Sequence, residues 1–178
     1  MARDVGVHTS VNAARTRACA TISELVGGIL KNYADRGVFR GFSAGPVRGG
    51  RATFKMLWHR DRFFELILDV PKKTMRFPVV LPVVPPRSPM YREFREFVES
   101  RHSAELLEHR RIDSKRARLR AGNRGGDASL TMTVKGKNFD YGVRKLIHAV
   151  HETYLVFLAD GRYYDYMVET LGLDPDRF

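Results

Sequence analysis

Cysteine and long apolar runs are scarce in this sequence. Among its 178 residues Cys19 is the only cysteine, so an internal disulfide cannot form and a reducing compartment is expected. The longest apolar passage, Phe77 to Pro86, contains four prolines, and no run approaches the roughly 18 apolar residues of a membrane-spanning helix. The N-terminus has no apolar segment before a small-residue cleavage site, so a secretory signal is not expected. The sequence therefore predicts a soluble, cytoplasmic protein.

Motifs for catalysis and for metal binding are also lacking. His148 and His151 lie three residues apart, but the segment H-A-V-H-E is neither the H-E-x-x-H zinc pattern nor its inverted form. There is no G-x-S-x-G nucleophile elbow. The glycine-rich segments Gly45 to Arg51 and Gly122 to Asp127 match turns rather than the phosphate-binding loop patterns. We therefore expect no enzymatic activity, no metal ligands and no cofactor.

Positive charge is what the sequence has in excess. It has 31 Lys and Arg against 20 Asp and Glu, a formal net charge of +11. A surplus of this size attracts phosphates, acidic proteins or anionic membranes through long-range fields. The surplus does not by itself select among these partners, and it is also compatible with a basic proteome background.

The first half of the chain has the apolar spacing of one helix followed by strands. The i, i+3, i+4 rhythm predicts a helix from Ala14 to Tyr33 that ends by Gly37. Phe42 to Gly50 is rich in Gly and Pro and is interpreted as a loop or a ragged first strand. Pro78 cannot donate to a strand ladder, so the strand that contains it is predicted to be short or at a sheet edge. Alternation predicts strands over Arg51–His59, Arg62–Val70 and Thr74–Leu81.

The second half predicts a helix, a hairpin and two closing helices. Ser88 and Pro89 are the N-cap and first residue of a helix, and Ala104 to Arg110 suggests a second short helical piece. The hairpin strands are predicted over Lys115–Ala121 and Ala128–Lys135. The closing helices are predicted over Tyr141–Ala159, which would be the longest helix in the chain, and Arg162–Leu171, which would stop at Gly172 and Pro175.

Together these segments predict an α+β fold of the order α-βββ-α-ββ-α-α. An antiparallel sheet of about five strands would pack against the N-terminal and C-terminal helices, with one apolar face and one cationic face. Residues 1–11 are predicted to be a flexible N-terminus and residues 12–178 a single domain. The length is in the usual range for one core.

The order of elements resembles the type III secretion chaperone-like fold, which the bacterial sensory transduction regulator family shares. The resemblance spans about residues 14 to 171 and rests on element order, with the aromatic segment Tyr163 to Glu169 as the nearest approach to a motif. It implies a non-enzymatic protein that binds other proteins, often as a homodimer. The strong positive charge departs from dedicated secretion chaperones, which tend to be acidic.

Two basic segments are the candidate partner-binding residues. Between Arg101 and Arg124 there are eight Lys or Arg against three acidic residues, and between Arg36 and Arg62 there are seven against one. The strand period places every second side chain on one face, which predicts a row of guanidinium groups. The candidate residues are Arg116, Arg118, Arg120 and Arg124 in the first segment and Arg48 and Arg51 in the second.

The sequence thus predicts a non-enzymatic binding protein whose basic face engages an acidic protein partner. Arg116, Arg118 and Arg120 would steer that partner by charge complementarity. The alternative is a nucleic-acid-binding protein that uses the same row for phosphate contacts, although no helix-turn-helix, zinc-finger, RNP or KH signature is present. A third alternative, an enzyme of a family without a short motif, has the least support.

Overall fold

Three α-helices and six strands form the fold of the described part of the chain. The computed structural model describes residues 5–59 and 61–173, with side chains from Ala13 onward. The chain after the last α-helix continues in short π- and 3₁₀-helical turns, Thr153–Phe157, Gly161–Tyr163 and Tyr166–Thr170. The main elements are α1 (Val5–Asp35), β1 (Gly41–Ala44), β2 (Arg51–Trp58), β3 (Arg62–Asp69), β4 (Thr74–Leu81), α2 (Pro89–Ser100), β5 (Ala117–Arg124), β6 (Asp127–Val134) and α3 (Phe139–Glu152).

The six strands form one antiparallel sheet in the order β1-β2-β3-β4-β6-β5, which confirms the α+β class. The prediction of about five strands was one short, because the segment from Phe42 to Gly50, predicted as a loop or a ragged first strand, overlaps β1 (Gly41–Ala44). This strand pairs with β2 from Gly41 opposite Leu57 to Ala44 opposite Phe54. Four residues that include glycine carry too little alternation for a sequence pattern to indicate a strand.

Strand β4 lies in the middle of the sheet, so the prediction that it is short or at an edge was wrong. It has eight residues and lies between β3 and β6. Its pairing with β3 covers only Thr74 to Arg76, and its register with β6 shifts between Phe77 and Leu81. Pro78 lies in this irregular stretch, where the missing N–H does not interrupt a regular ladder.

The helices α1 and α3 cover the inner face of the sheet. Helix α3 packs on β4, β5 and β6, and α1 packs on β1, β2 and α3. Leu119 of β5 and Leu130 of β6 are both fully buried between the sheet and the helices. Alternate residues of β5, such as Arg118 and Arg120, are exposed on the other face, as the predicted apolar and cationic sides require.

Three helix predictions need correction or extension. Helix α1, with 31 residues, is longer than α3, which ends as an α-helix at Glu152 and continues as a π-helical turn. Residues 104–110 form turns instead of a helix. Two of their backbone carbonyls accept from a side chain outside the segment, since Lys145 Nζ donates to the carbonyl oxygens of Glu108 and His109. The predicted stop at Pro175 lies outside the described residues.

Candidate functional site

Arg118 and Arg120 project from the outer face of β5. They alternate with the buried residues Ala117 and Leu119, so their spacing along the strand is about 6.8 Å. Their cross-strand partners on β6 are Thr133 and Thr131, respectively. The two guanidinium groups therefore stand beside uncharged side chains on the sheet.

Helix α2 lies alongside β5 and adds two more arginines to this region. It begins as predicted, with Ser88 as N-cap accepting a hydrogen bond from the Tyr91 amide at 3.2 Å. It buries Phe94 and Val98, which leaves the opposite side of the helix toward solvent. Arg92 and Arg95 are exposed residues of this helix.

The space between α2 and β5 is a groove of about 540 Å³, called here the α2–β5 groove. Its walls carry four arginines and two glutamates, and its apolar part comes from Val98 and Ala121. The charged residues are Arg92, Arg95, Arg118, Arg120, Glu96 and Glu99.

Most of the positive charge in this groove is unpaired. Arg118 is 3.4 Å from Glu99, and both side chains are more than half exposed. Arg92, Arg95 and Arg120 make no ion pair and no side-chain hydrogen bond with any residue that the structure describes. Three guanidinium groups are thus available to an external anion.

Sequence reasoning identified Arg118 and Arg120 but missed Arg92 and Arg95. The signal was present, because positions 92 and 95 are three apart on a helix and are therefore neighbours on one side of it. What the sequence did not show is that α2 packs beside β5. Without that placement, two arginines on a helix indicate only a solvated face.

The remaining predicted residues lie elsewhere. Arg124 lies opposite Asp127 at the β5–β6 turn. Arg51 donates to Asp69 Oδ2 at 2.8 Å, and Arg48 bridges to Arg51 through the backbone. Strand β2 is four strands from β5, which corresponds to about 19 Å at roughly 4.8 Å per strand. The structure therefore does not bring Arg48 and Arg51 to the α2–β5 groove.

Arg116 also separates from Arg118 and Arg120. Its guanidinium lies 3.8 Å from the centroid of the Tyr141 ring, and its Nε donates to Asn138 Oδ1 at 3.3 Å. These contacts direct it toward α3, where it borders a different groove. The predicted row of three arginines is thus divided between two sites.

His102 covers the free edge of β5. Its Nε2 accepts a hydrogen bond from the Leu119 amide at 3.2 Å, and its Nδ1 lies 3.3 Å from the carbonyl oxygen of Ile112. Nε2 can accept only in the tautomer that carries the proton on Nδ1. An imidazole in this position blocks the pairing of another strand beside Leu119, which protects an edge that would otherwise be open.

The aromatic residues of the strands lie mainly in the core. Phe54, Trp58 and Phe64 are buried, as the alternation of side chains along their strands predicted. Phe63 is 79% exposed on the outer face of β3, far from β5 in the strand order. Among the residues that the structure describes, none of those that line the α2–β5 groove is aromatic. The groove therefore has no platform for base stacking.

His148 and His151 do not form a metal site with their neighbours. Within residues 5–59 and 61–173, no group of three His, Cys, Asp or Glu residues has a geometry that could hold a metal ion. His148 Nδ1 is 3.9 Å from Glu152, which two arginines already bind. His151 stacks parallel to the ring of Trp58 at 6.1 Å.

No family model, no curated protein and no solved structure matches this chain. The resemblance to the type III secretion chaperone-like fold stays a prediction based on element order. No helix in the described part of the chain is both long enough and apolar enough to cross a bilayer.

Proposed function

We propose that the protein is a non-enzymatic binding protein that holds an acidic protein partner in the α2–β5 groove. The observation that carries this proposal is the set of three arginines, Arg92, Arg95 and Arg120, without ion pairs to described residues on the walls of one groove. Carboxylates of a partner would accept charge-assisted hydrogen bonds from them. The apolar floor would add contact area.

The charge pattern of the groove favours a folded or extended polypeptide over a uniform polyanion. Glu96 and Glu99 lie among the four arginines, and they would repel a continuous row of phosphates. A protein partner can place a lysine or arginine opposite these two glutamates and carboxylates opposite the arginines. Such alternation fixes the register of a complex more than its affinity.

Association would begin with long-range steering. The net charge of +11 attracts an acidic partner before contact, and the unpaired arginines then select the orientation. A homodimer would have to use another surface, because two copies of the α2–β5 groove would repel each other.

Nucleic acid remains the second candidate, and one observation favours it. Arg118 and Arg120 are spaced by about 6.8 Å along β5, which is near the phosphate repeat of an extended single strand. The groove has no aromatic side chain among its described lining residues, so such binding would rest on phosphate contacts alone.

A capture experiment with a matched control tests the proposal. The tagged chain is incubated with nuclease-treated native lysate, in parallel with Arg118→Glu/Arg120→Glu and Arg48→Glu/Arg51→Glu, which change net charge equally. We expect one acidic polypeptide to be recovered with the wild type and the control pair, and lost with the groove pair. Equal recovery with all three would contradict the proposed site.

A salt titration with a defined single strand tests the second candidate. Binding through phosphates weakens with salt, with a slope of about −0.7 per contact in log K against log salt. A steep slope that the Arg118/Arg120 pair alone reduces would favour nucleic acid. The absence of binding at low salt would exclude it.

A further inference from the structure

A second groove, of about 720 Å³, lies between loop 101–116 and the first two turns of α3. It is called here the Tyr141 groove. The residues that carry its chemistry are Arg111, Arg116, Lys145, Asp113, Glu108 and Tyr141. It is separate from the α2–β5 groove and shares no lining residue with it.

The loop wall of this groove is fixed in place. Tyr141 Oη accepts a hydrogen bond from the Asp113 amide at 2.7 Å. Lys145 Nζ donates to the carbonyl oxygens of Glu108 at 3.2 Å and His109 at 2.7 Å. A ligand would therefore meet a preformed wall, and little loop-ordering entropy would oppose binding.

Arg116 presents a prepared anion-binding edge. Its guanidinium is stacked on the Tyr141 ring at 3.8 Å and anchored through Nε to Asn138. Its two Nη groups make no hydrogen bond to any residue that the structure describes. Two parallel N–H donors of a held guanidinium match two oxygens of a phosphate or carboxylate.

Two further cations border the same groove. Lys145 Nζ lies 5.6 Å from the Tyr141 ring centroid, and Arg111 lines the loop side. Burial is the largest effect on Lys145 and lowers the pKa of its ammonium group, so an added anion would stabilise the charged form.

Two carboxylates set a limit on the ligand. Asp113 accepts the Lys115 amide through Oδ1 at 2.8 Å, and Glu108 is exposed on the loop. Both would repel a ligand that is anionic along its whole length. Both can instead accept hydrogen bonds from hydroxyl groups.

We propose that the Tyr141 groove binds a small phosphate monoester whose organic part carries hydroxyl groups. The phosphate occupies the Nη edge of Arg116, with Lys145 and Arg111 supplying additional charge. The hydroxyl groups donate to Asp113 and Glu108. The volume of about 720 Å³ is within the range of small-molecule sites.

The test uses glucose 6-phosphate, glucose and inorganic phosphate as probes, with binding measured by calorimetry at low ionic strength. We expect the ester to bind, glucose to show no binding, and inorganic phosphate to bind more weakly than the ester. No binding of the ester would overturn the proposal. Inorganic phosphate binding as tightly as the ester would also overturn it, because it would show a site for the ion alone.

Variants locate the binding. Arg116→Gln should weaken the affinity for glucose 6-phosphate about tenfold or more, whereas Arg124→Gln, at the far end of β5 and outside the groove, should leave it unchanged. Equal loss in both variants would overturn the assignment. Should Arg116→Gln fail to fold, Arg116→Lys keeps the charge but loses the bidentate edge, and unchanged affinity in that variant would count against the proposal.

Discussion

Arg101 donates to Glu152 Oε2 at 2.8 Å in the interior of the protein, where the two side chains are only 8% and 6% exposed. The contact joins the residue that caps the C-terminal end of α2 to the last residue of α3. Arg110 donates to the other carboxylate oxygen at 2.5 Å. Arg101 at the start of loop 101–116 and Arg110 within the loop therefore both attach it to the end of α3.

The Glu152 carboxylate stays ionised in this setting. Burial by itself would raise the pKa of Glu152, but hydrogen bonds from Arg101 and Arg110 outweigh it and hold the pKa below the ordinary value of 4.5. Removing either partner would leave a buried charge without compensation.

Glu152→Gln should lower the free energy of unfolding by about 3–5 kcal/mol, because it leaves the buried Arg101 without a counter-charge. Chemical denaturation measures this loss. The matched control is Asp140→Asn, which removes a carboxylate from the exposed pair with Arg144 and should change stability by less than about 0.5 kcal/mol. Similar values for the two variants would contradict the role given to Glu152.

His59 is predicted to make the fold sensitive to mild acid. Its ring stacks on Tyr154 at 4.0 Å, and its buried Nε2 has no hydrogen-bond partner among the described residues. Burial, followed by the charges of His151 and Arg62, lowers the pKa of His59 to about 3. The unfolded chain takes up this proton below its ordinary pKa of 6.5, so acid stabilises the unfolded state.

The contribution of neutral His59 to the free energy of unfolding is therefore complete above pH 6.5 and is lost as the pH falls toward 3. Between pH 6.5 and 5 we expect it to contribute about 1 kcal/mol per pH unit to the fall in the free energy of unfolding. His59→Asn tolerates the positive φ of 43° and should flatten this slope. His109→Asn, in an exposed loop, should keep it, and an unchanged slope in His59→Asn would refute the assignment.

Gly142 marks a close approach of α3 to the sheet. A Cβ at this position would lie 2.3 Å from Val134 Cγ1 and 2.8 Å from Met75 Cε. Gly142→Ala should therefore destabilise the protein by about 1–3 kcal/mol through overpacking, although alanine is the better helix former. Gly28→Ala, in α1 with nothing within 4 Å, should stabilise by up to about 1 kcal/mol. Thermal unfolding of the two variants checks the opposite signs.

Local patterns predicted the parts of the fold that local chemistry decides. The alternation around Leu119 and Leu130 assigned both to the core, and Ser88 fixed the start of α2. The central position of β4 could not be predicted from Pro78, because the register shift that accommodates the proline arises from pairing with β6. Such pairing is a property of distant segments.

For the same reason, only part of the candidate site could be predicted from the sequence. The strand period correctly placed Arg118 and Arg120 on the outer face. The period could not show that Tyr141 and Asn138 hold Arg116 in a second groove. It also could not show that α2 supplies Arg92 and Arg95. These relations depend on packing between elements far apart in sequence.

We propose that the α2–β5 groove, and not net charge alone, binds an acidic partner. Fluorescence anisotropy with a glutamate-rich peptide can measure the affinities of Arg92→Gln/Arg95→Gln, Arg118→Gln/Arg120→Gln and Arg48→Gln/Arg51→Gln, each of which removes two positive charges. We expect the first two pairs to lose about tenfold or more in affinity, while the third stays within about twofold of the wild type. Equal losses in all three would contradict binding in the α2–β5 groove, because the affinity would then follow total charge.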